Sequence, residues 1–168
     1  QFTTHDINVY YNGKVNDWSI DLNLDGMWDK TKQNQFTAQT ITETSGKTME
    51  ENMTTFQCTR NNLLAGKLDI SRPLWGGSFS FGNEYSHNDR TNQYLNPQGI
   101  LEDDDSRFKE GSTSAFVEYG RSFGKLNLLA GLRYEYVDFK YYDQGKLVEE
   151  QSRKFKKLFP SIVLNMPV

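Results

Sequence analysis

Polar and apolar residues alternate along most of this chain with a period of two. Between Asp17 and Asp29, Trp18, Ile20, Leu22, Leu24 and Trp28 fall on one face of an extended strand. Asp17, Ser19, Asp21, Asn23 and Asp25 fall on the other. A helix would scatter both sets around its circumference, so the pattern predicts a strand. The same rule predicts strands at His5 to Asn12, Asn62 to Arg72, Ser78 to His87, Thr113 to Arg121, Lys125 to Lys140 and Ser152 to Met166. The chain therefore reads as all-β, an antiparallel up-and-down meander of about seven or eight long strands. No amphipathic helix competes with them.

The connections alternate short and long. Asn12-Gly13-Lys14-Val15-Asn16, Pro73-Leu74-Trp75-Gly76-Gly77 and Ser122-Phe123-Gly124-Lys125 read as tight turns, with glycine supplying the dihedrals. Lys30 to about Arg60 and Asn88 to about Lys109 read as long polar loops, and Asp143-Gln144-Gly145 tops an extended hairpin. Tight turns thus gather at one end of the sheet and long connections at the other. Outer-membrane barrels segregate them in this way, with short periplasmic turns and long extracellular loops.

A length test agrees. Trp18 and Trp28 share a face with Ile20, Leu22, Leu24 and Gly26 between them, and no charge interrupts it. Ten residues at about 3.3 Å each span roughly 33 Å. A tilt of about 35–45° projects this to about 23–27 Å, against an apolar band about 25 Å tall flanked by aromatic girdles in such barrels. Soluble strands usually run about 5–6 residues.

Composition fits. Aromatics make up 14% of the 168 residues, and they favour strands. A net charge of -3 with both signs mixed leaves no footprint for nucleic acid. No segment approaches the roughly 20 apolar residues of a membrane helix, a test that β-barrels escape. Cys58 stands alone, so no internal disulfide forms. No signal peptide opens the chain at Gln1-Phe2-Thr3-Thr4, which fits a mature form or a cut segment.

Motifs for chemistry are weak. Asp21-Leu22-Asn23-Leu24-Asp25-Gly26 matches the first half of a calcium loop, but the twelfth position is Lys32 where a bidentate glutamate is required. Glu102-Asp103-Asp104-Asp105 reads as a solvated acidic loop tip rather than a hard-cation site. His5 and His87 have no Cys or His at ligand spacing. There is no nucleophile elbow, phosphate-binding loop or dinucleotide fingerprint. Asn52-Met53-Thr54 fits a glycosylation sequon, which is irrelevant if the source is bacterial. Arg133 and Glu135 sit on the polar face of one strand and read as members of a wall hydrogen-bond ladder inside a lumen. The expectation is no catalytic, cofactor-binding or metal residues, and no enzyme.

Four stretches resemble a known family. Leu64-Ala65-Gly66-Lys67-Leu68-Asp69, Phe81-Gly82-Asn83-Glu84-Tyr85-Ser86, Ala130-Gly131-Leu132-Arg133-Tyr134-Glu135-Tyr136 and Leu158-Phe159-Pro160-Ser161 are similar to barrel strands of TonB-dependent receptors of Bacteroidetes, in the outer membrane protein beta-barrel family. That resemblance implies a transmembrane barrel of about 22 strands in the cell outer membrane, plugged by an N-terminal domain. It implies import of a scarce nutrient powered through TonB. The implied partners are outer-membrane lipid, the rest of the parent barrel and its plug, TonB and a nutrient ligand. Residues 1–168 read as a single β-barrel segment without a plug domain. The chain ends Asn165-Met166-Pro167-Val168 without a terminal aromatic, and about seven strands is an odd number, so a barrel-wall fragment is expected.

Two other readings share the alternation. A soluble β-barrel binding module, such as a lipocalin-like carrier, would turn Trp18, Ile20, Leu22 and Leu24 inward around a ligand. A surface adhesin would show a repeat period, and none appears. As an isolated piece, the fragment has two unpaired edges and a lipid face without lipid. It is expected to curl into a smaller barrel or to self-associate.

Overall fold

The computed structural model describes residues 1–42, 44 and 46–166. Eight strands form one antiparallel sheet in chain order. They are β1 (Phe2–Val15), β2 (Trp18–Thr42), β3 (Thr48–Leu74), β4 (Gly77–Leu95), β5 (Asp104–Phe123), β6 (Leu126–Asp143), β7 (Lys146–Leu147) and β8 (Arg153–Asn165). Seven are long, and the two-residue β7 leads through a single 3-10 turn at Glu149–Gln151 into β8, which pairs with β6.

The strands are longer than the alternation predicts. The two expected loops are mostly strand: β2 and β3 pair without a break from Ser19↔Ser71 to Thr42↔Thr48, and β4 and β5 pair from Ser78↔Gly120 to Tyr94↔Asp104. Alternation fades there because both faces are polar, as in Thr37-Ala38-Gln39-Thr40. The backbone still needs partners, and a continued ladder supplies them. These hairpins stand well beyond the band bounded by Trp18 and Trp28.

Tight turns close the other end. Asn16 (φ 53°), Trp75 (φ 49°) with Gly76 (φ 73°), and Gly124 (φ 61°) take the left-handed conformation that two-residue hairpins demand. The first turn is thus Asn16-Asp17, starting three residues beyond the expected glycine. Gly13 lies inside β1 opposite Ile20. Its place is held by the Tyr11 ring, whose Cζ would sit 2.6 Å from a Cβ at position 13.

No apolar side chain is buried among the described residues. Leu24 is 45% exposed, Leu132 45% and Ile162 73%. A soluble carrier would enclose such side chains in its interior. The sheet stays open, with β1 paired only to β2 and β8 only to β6. The expected curl into a smaller barrel is therefore corrected. Small barrels fill their interior with side chains, and the face available for filling carries Asp21, Asp25, Lys67, Glu84 and Arg133. Closing on these would desolvate charges that have too few partners. Self-association remains as the way to cover the apolar face. Residues 1–168 expressed alone should sediment as a concentration-dependent oligomer in water, and a monodisperse monomer would contradict this.

Candidate functional site

Register decides which side chains share a face, because directly paired residues point the same way. One row runs Tyr11↔Leu22↔Leu68↔Asn83↔Ala115↔Tyr134↔Leu158. The adjacent row on the same face runs Gly13↔Ile20↔Ile70↔Phe81↔Val117↔Leu132↔Pro160. This face is apolar across all seven long strands. Near the tight turns it carries Trp18, Phe79 and Tyr119. Trp18 meets Phe81 edge-on at 6.1 Å, and the Arg72 guanidinium lies 4.8 Å above the Trp18 ring. That is how a cation at the edge of an apolar zone keeps its charge in a polar layer.

The opposite face is wet. The row Asn23↔Lys67↔Glu84↔Ser114↔Glu135 crosses five strands. The Arg133 guanidinium donates to Glu84 at 2.6 Å and to Glu135 at 2.7 Å, and Lys67 lies 3.7 Å from Glu84. Asn8 and Asn12 of β1 donate to the Asp25 and Asp21 carboxylates of β2. Arg133 and Glu135 thus belong to the wall ladder expected of them. Glu84 and Lys67 are the partners that chain-local reading misses, since they lie on β4 and β3. Above this network Thr4, Asp29, Asn61 and Asn88 hold side-chain oxygens without a hydrogen-bond partner among the described residues. Water or a body inside the barrel is needed to satisfy them.

On the hairpins the wet face becomes aromatic. Phe108 packs against Tyr141 at 5.0 Å and Phe139 at 6.3 Å. Burial, then the Asp143 and Asp104 carboxylates, hold the Tyr141 hydroxyl above its ordinary range, so it stays a proton donor. No group of three His, Cys, Asp or Glu side chains converges among the described residues, the acidic loop included. Its carboxylates organise the loop instead. The Asp103 carboxylate accepts the Asn96 backbone N–H at 2.7 Å. The Asn96 amide accepts from Ile100 N–H at 2.8 Å and donates to the Thr54 carbonyl on β3 at 3.2 Å. Asn96 is 4% exposed. Asn96→Ala should unpin the 97–102 loop at a cost of about 1–3 kcal/mol for the donors and acceptors it strands. Limited proteolysis should then cut within 97–102 several-fold faster, while the strands stay intact. Unchanged cleavage would count against this role.

The boundary between apolar and charged residues is a measure of strand tilt. On the apolar face the first charge beyond the band is Lys30 on β2, Arg60 on β3, Asp89 on β4, Lys109 on β5, Asp138 on β6 and Lys156 on β8. By register Lys156 lies in the row of Leu24, six residues below Lys30. Six residues drop about 20 Å, and five strand spacings cross about 24 Å. A boundary that follows a flat plane then requires strands tilted by about 40°, within the about 35–45° of membrane barrels. At the turn end the apolar zone shifts the same way, from Trp18 on β2 to Leu126 on β6 and Met166 beyond β8.

A slanted apolar band, a wet opposite face and segregated turns describe one section of a membrane barrel wall. Residues 11–168 match the family model of the outer membrane protein beta-barrel family. The chain belongs to the outer membrane protein beta-barrel family. It forms part of a barrel in the outer membrane, and the apolar face is the one toward lipid. Among solved structures it is similar to the ferric-catecholate import receptor Fiu of E. coli K12 in its closed form. The TM-score is 0.55 at 12% identity, covering 98% of this chain and 30% of that one. It also matches the ferric citrate transporter FecA in its unliganded form, with a TM-score of 0.45 at 12% identity, covering 88% of this chain and 24% of that one. This chain of the outer membrane protein beta-barrel family thus spans less than a third of either receptor. Comparison with curated protein sequences finds no match.

Proposed function

We propose that this chain is a wall section of a TonB-dependent receptor that imports a scarce nutrient across the outer membrane. The observation that carries the reading is the lumen face. A wall around an empty pore needs only water-facing polar groups. This wall places an ion network of Lys67, Glu84, Arg133 and Glu135 at mid-band and unpartnered oxygens on Thr4, Asp29, Asn61 and Asn88 above it. Such a surface suits contact with a folded plug. Sheet similarity to a ferric-catecholate import receptor supports a large plugged barrel as the parent. Residues 1–168 serve as one barrel segment, with plug, TonB contact and the rest of the wall supplied by the parent protein. The chemistry is binding and passage, and the wall carries no catalytic role. The Phe108–Tyr141–Phe139 cluster on the lumen side of the hairpins is where an incoming nutrient meets the wall.

The test is growth of a strain lacking the parent receptor on a panel of limiting iron chelates, cobalamins and glycans. The expected result is lost growth on at least one source, restored by the intact gene and abolished again when TonB is deleted. Uptake that persists without TonB, or no loss across the panel, would contradict the reading.

A further inference from the structure

One member of the mid-band row on the lipid-facing side is not apolar. Asn83 on β4 is paired with Leu68 on β3 and Ala115 on β5. Along β4 this face reads Phe79, Phe81, Asn83, Tyr85 and His87 before its first charge at Asp89, which puts Asn83 at the middle of the band. Asn83 is exposed, and so is Ala115 beside it. It is the one carboxamide among the described residues of the three rows that run through Ile20, Leu22 and Leu24.

That amide is only partly satisfied. Its Nδ2 donates to the Ser114 carbonyl oxygen at 2.8 Å. The second amide hydrogen and the Oδ1 oxygen find no partner among the described residues. Hydrocarbon offers neither donor nor acceptor, so a polar group left unpaired there is strongly disfavoured. Lipid headgroups begin half a band away, about 12 Å above or below, beyond the reach of an asparagine. The missing groups must come from another protein surface in the plane of the membrane.

The surroundings allow such a surface to come close. On β5, Gly111, Thr113 and Ala115 form a strip of short side chains between Tyr85 on β4 and Tyr134 and Tyr136 on β6. A Cβ at Gly111 would meet nothing nearer than the His87 Nδ1 at 3.9 Å. Short side chains of this kind let membrane-spanning segments approach one another closely.

The chemistry of the amide names the partner. A carboxamide carries a donor and an acceptor side by side. Two of them related by a two-fold axis satisfy each other with a pair of N–H···O bonds, the self-complementary contact of an isologous dimer. We propose that this face is the seam of a homodimer in the membrane, in which Asn83 pairs with Asn83 of a second copy across a two-fold axis. The strip on β5 lies along the seam and lets the two walls meet. This inference rests on the membrane-barrel assignment and is independent of what the parent protein imports.

The test uses the full-length protein, purified, labelled with one fluorophore per chain and reconstituted in lipid bilayers. Single-molecule photobleaching counts the copies in each spot over a dilution series. The wild type should bleach in two steps at high density and in one on dilution. Asn83→Leu should need at least tenfold higher density to reach the same dimer fraction, while its heat-modifiable gel shift stays that of the wild type. A second measurement leaves the amide in place. In a Cys58→Ser background, Ala115→Cys beside the seam should join two copies through a short thiol cross-linker at least tenfold faster than Ile162→Cys, three strands away on β8. Single-step bleaching of the wild type at every density, an Asn83→Leu variant as dimeric as the wild type, or equal cross-linking at the two cysteines would each overturn the proposal. The wild-type count and the cross-linking comparison decide the matter even where Asn83→Leu does not assemble.

Discussion

Leu22→Arg is expected to cost roughly 2–4 kcal/mol of folding stability in a bilayer, the penalty of a cation on the lipid face near the membrane midplane. Leu22 lies midway between Trp18 and Trp28, opposite Tyr11 on β1 and Leu68 on β3. No acid reaches it on that face. The long arginine side chain would have to carry its charge out past one aromatic girdle, bending away from the neighbours it now covers. The same charge on the other face has a different fate. Ser80 is paired with Glu118 on the lumen face, so Ser80→Arg meets water and an opposite charge and should change stability by less than about 0.5 kcal/mol. Urea unfolding of the full-length protein in lipid vesicles, followed by tryptophan emission, measures both. The two variants should differ by more than tenfold in folded-to-unfolded ratio. Equal effects would mean that the two faces do not see different solvents.

The second large effect is steric. Gly82 on β4 lies between Asp69 on β3 and Phe116 on β5. A Cβ there would collide with the Leu68 carbonyl oxygen, and it would lie 2.6 Å from the Phe116 ring. The ring can swing aside into the lumen. The carbonyl cannot, because it belongs to the β3 backbone. Gly82→Val should therefore push β3 and β4 apart at mid-band and break ladder bonds there. We expect a loss above the about 1–3 kcal/mol usual for overpacking, seen as failure of most of the full-length protein to reach its folded, heat-modifiable form on a gel. Gly82→Val/Phe116→Ala should recover little, since the backbone contact remains. Full recovery by Phe116→Ala would place the clash in the ring and contradict this account.

Legibility in the sequence follows from the solvent on each side of the strand. Where one side meets lipid and the other water, as from Trp18 to Trp28, alternation is strong and the strand is plain. Where both sides meet water, as in residues 31–42 or 88–95, alternation carries no signal, and the strand reads as loop. Gly13 reads as part of a turn because a glycine beside Asn and Lys resembles one. Only the packing of Tyr11 over it shows an in-strand role. Arg133 and Glu135 were visible as a same-face pair two residues apart. The bond from Arg133 to Glu84 was not, because it depends on two successive registers, β4 with β5 and β5 with β6. Orientation was beyond reach altogether: alternation is unchanged when inside and outside are exchanged. The open sheet without an apolar core and the slope of the charge boundary supply that missing direction.

The central claim is that the Trp18–Trp28 face of β2 meets lipid while its other face meets water. Nitroxide labels placed singly at positions 20 through 27 of the full-length protein, in a Cys58→Ser background and in bilayers, test it most directly. Power-saturation accessibility should alternate with period two. Oxygen should dominate at positions 20, 22 and 24, and a water-soluble nickel complex at 21, 23 and 25. The opposite phase would place the apolar face inside a closed barrel, and loss of alternation would remove the membrane wall altogether.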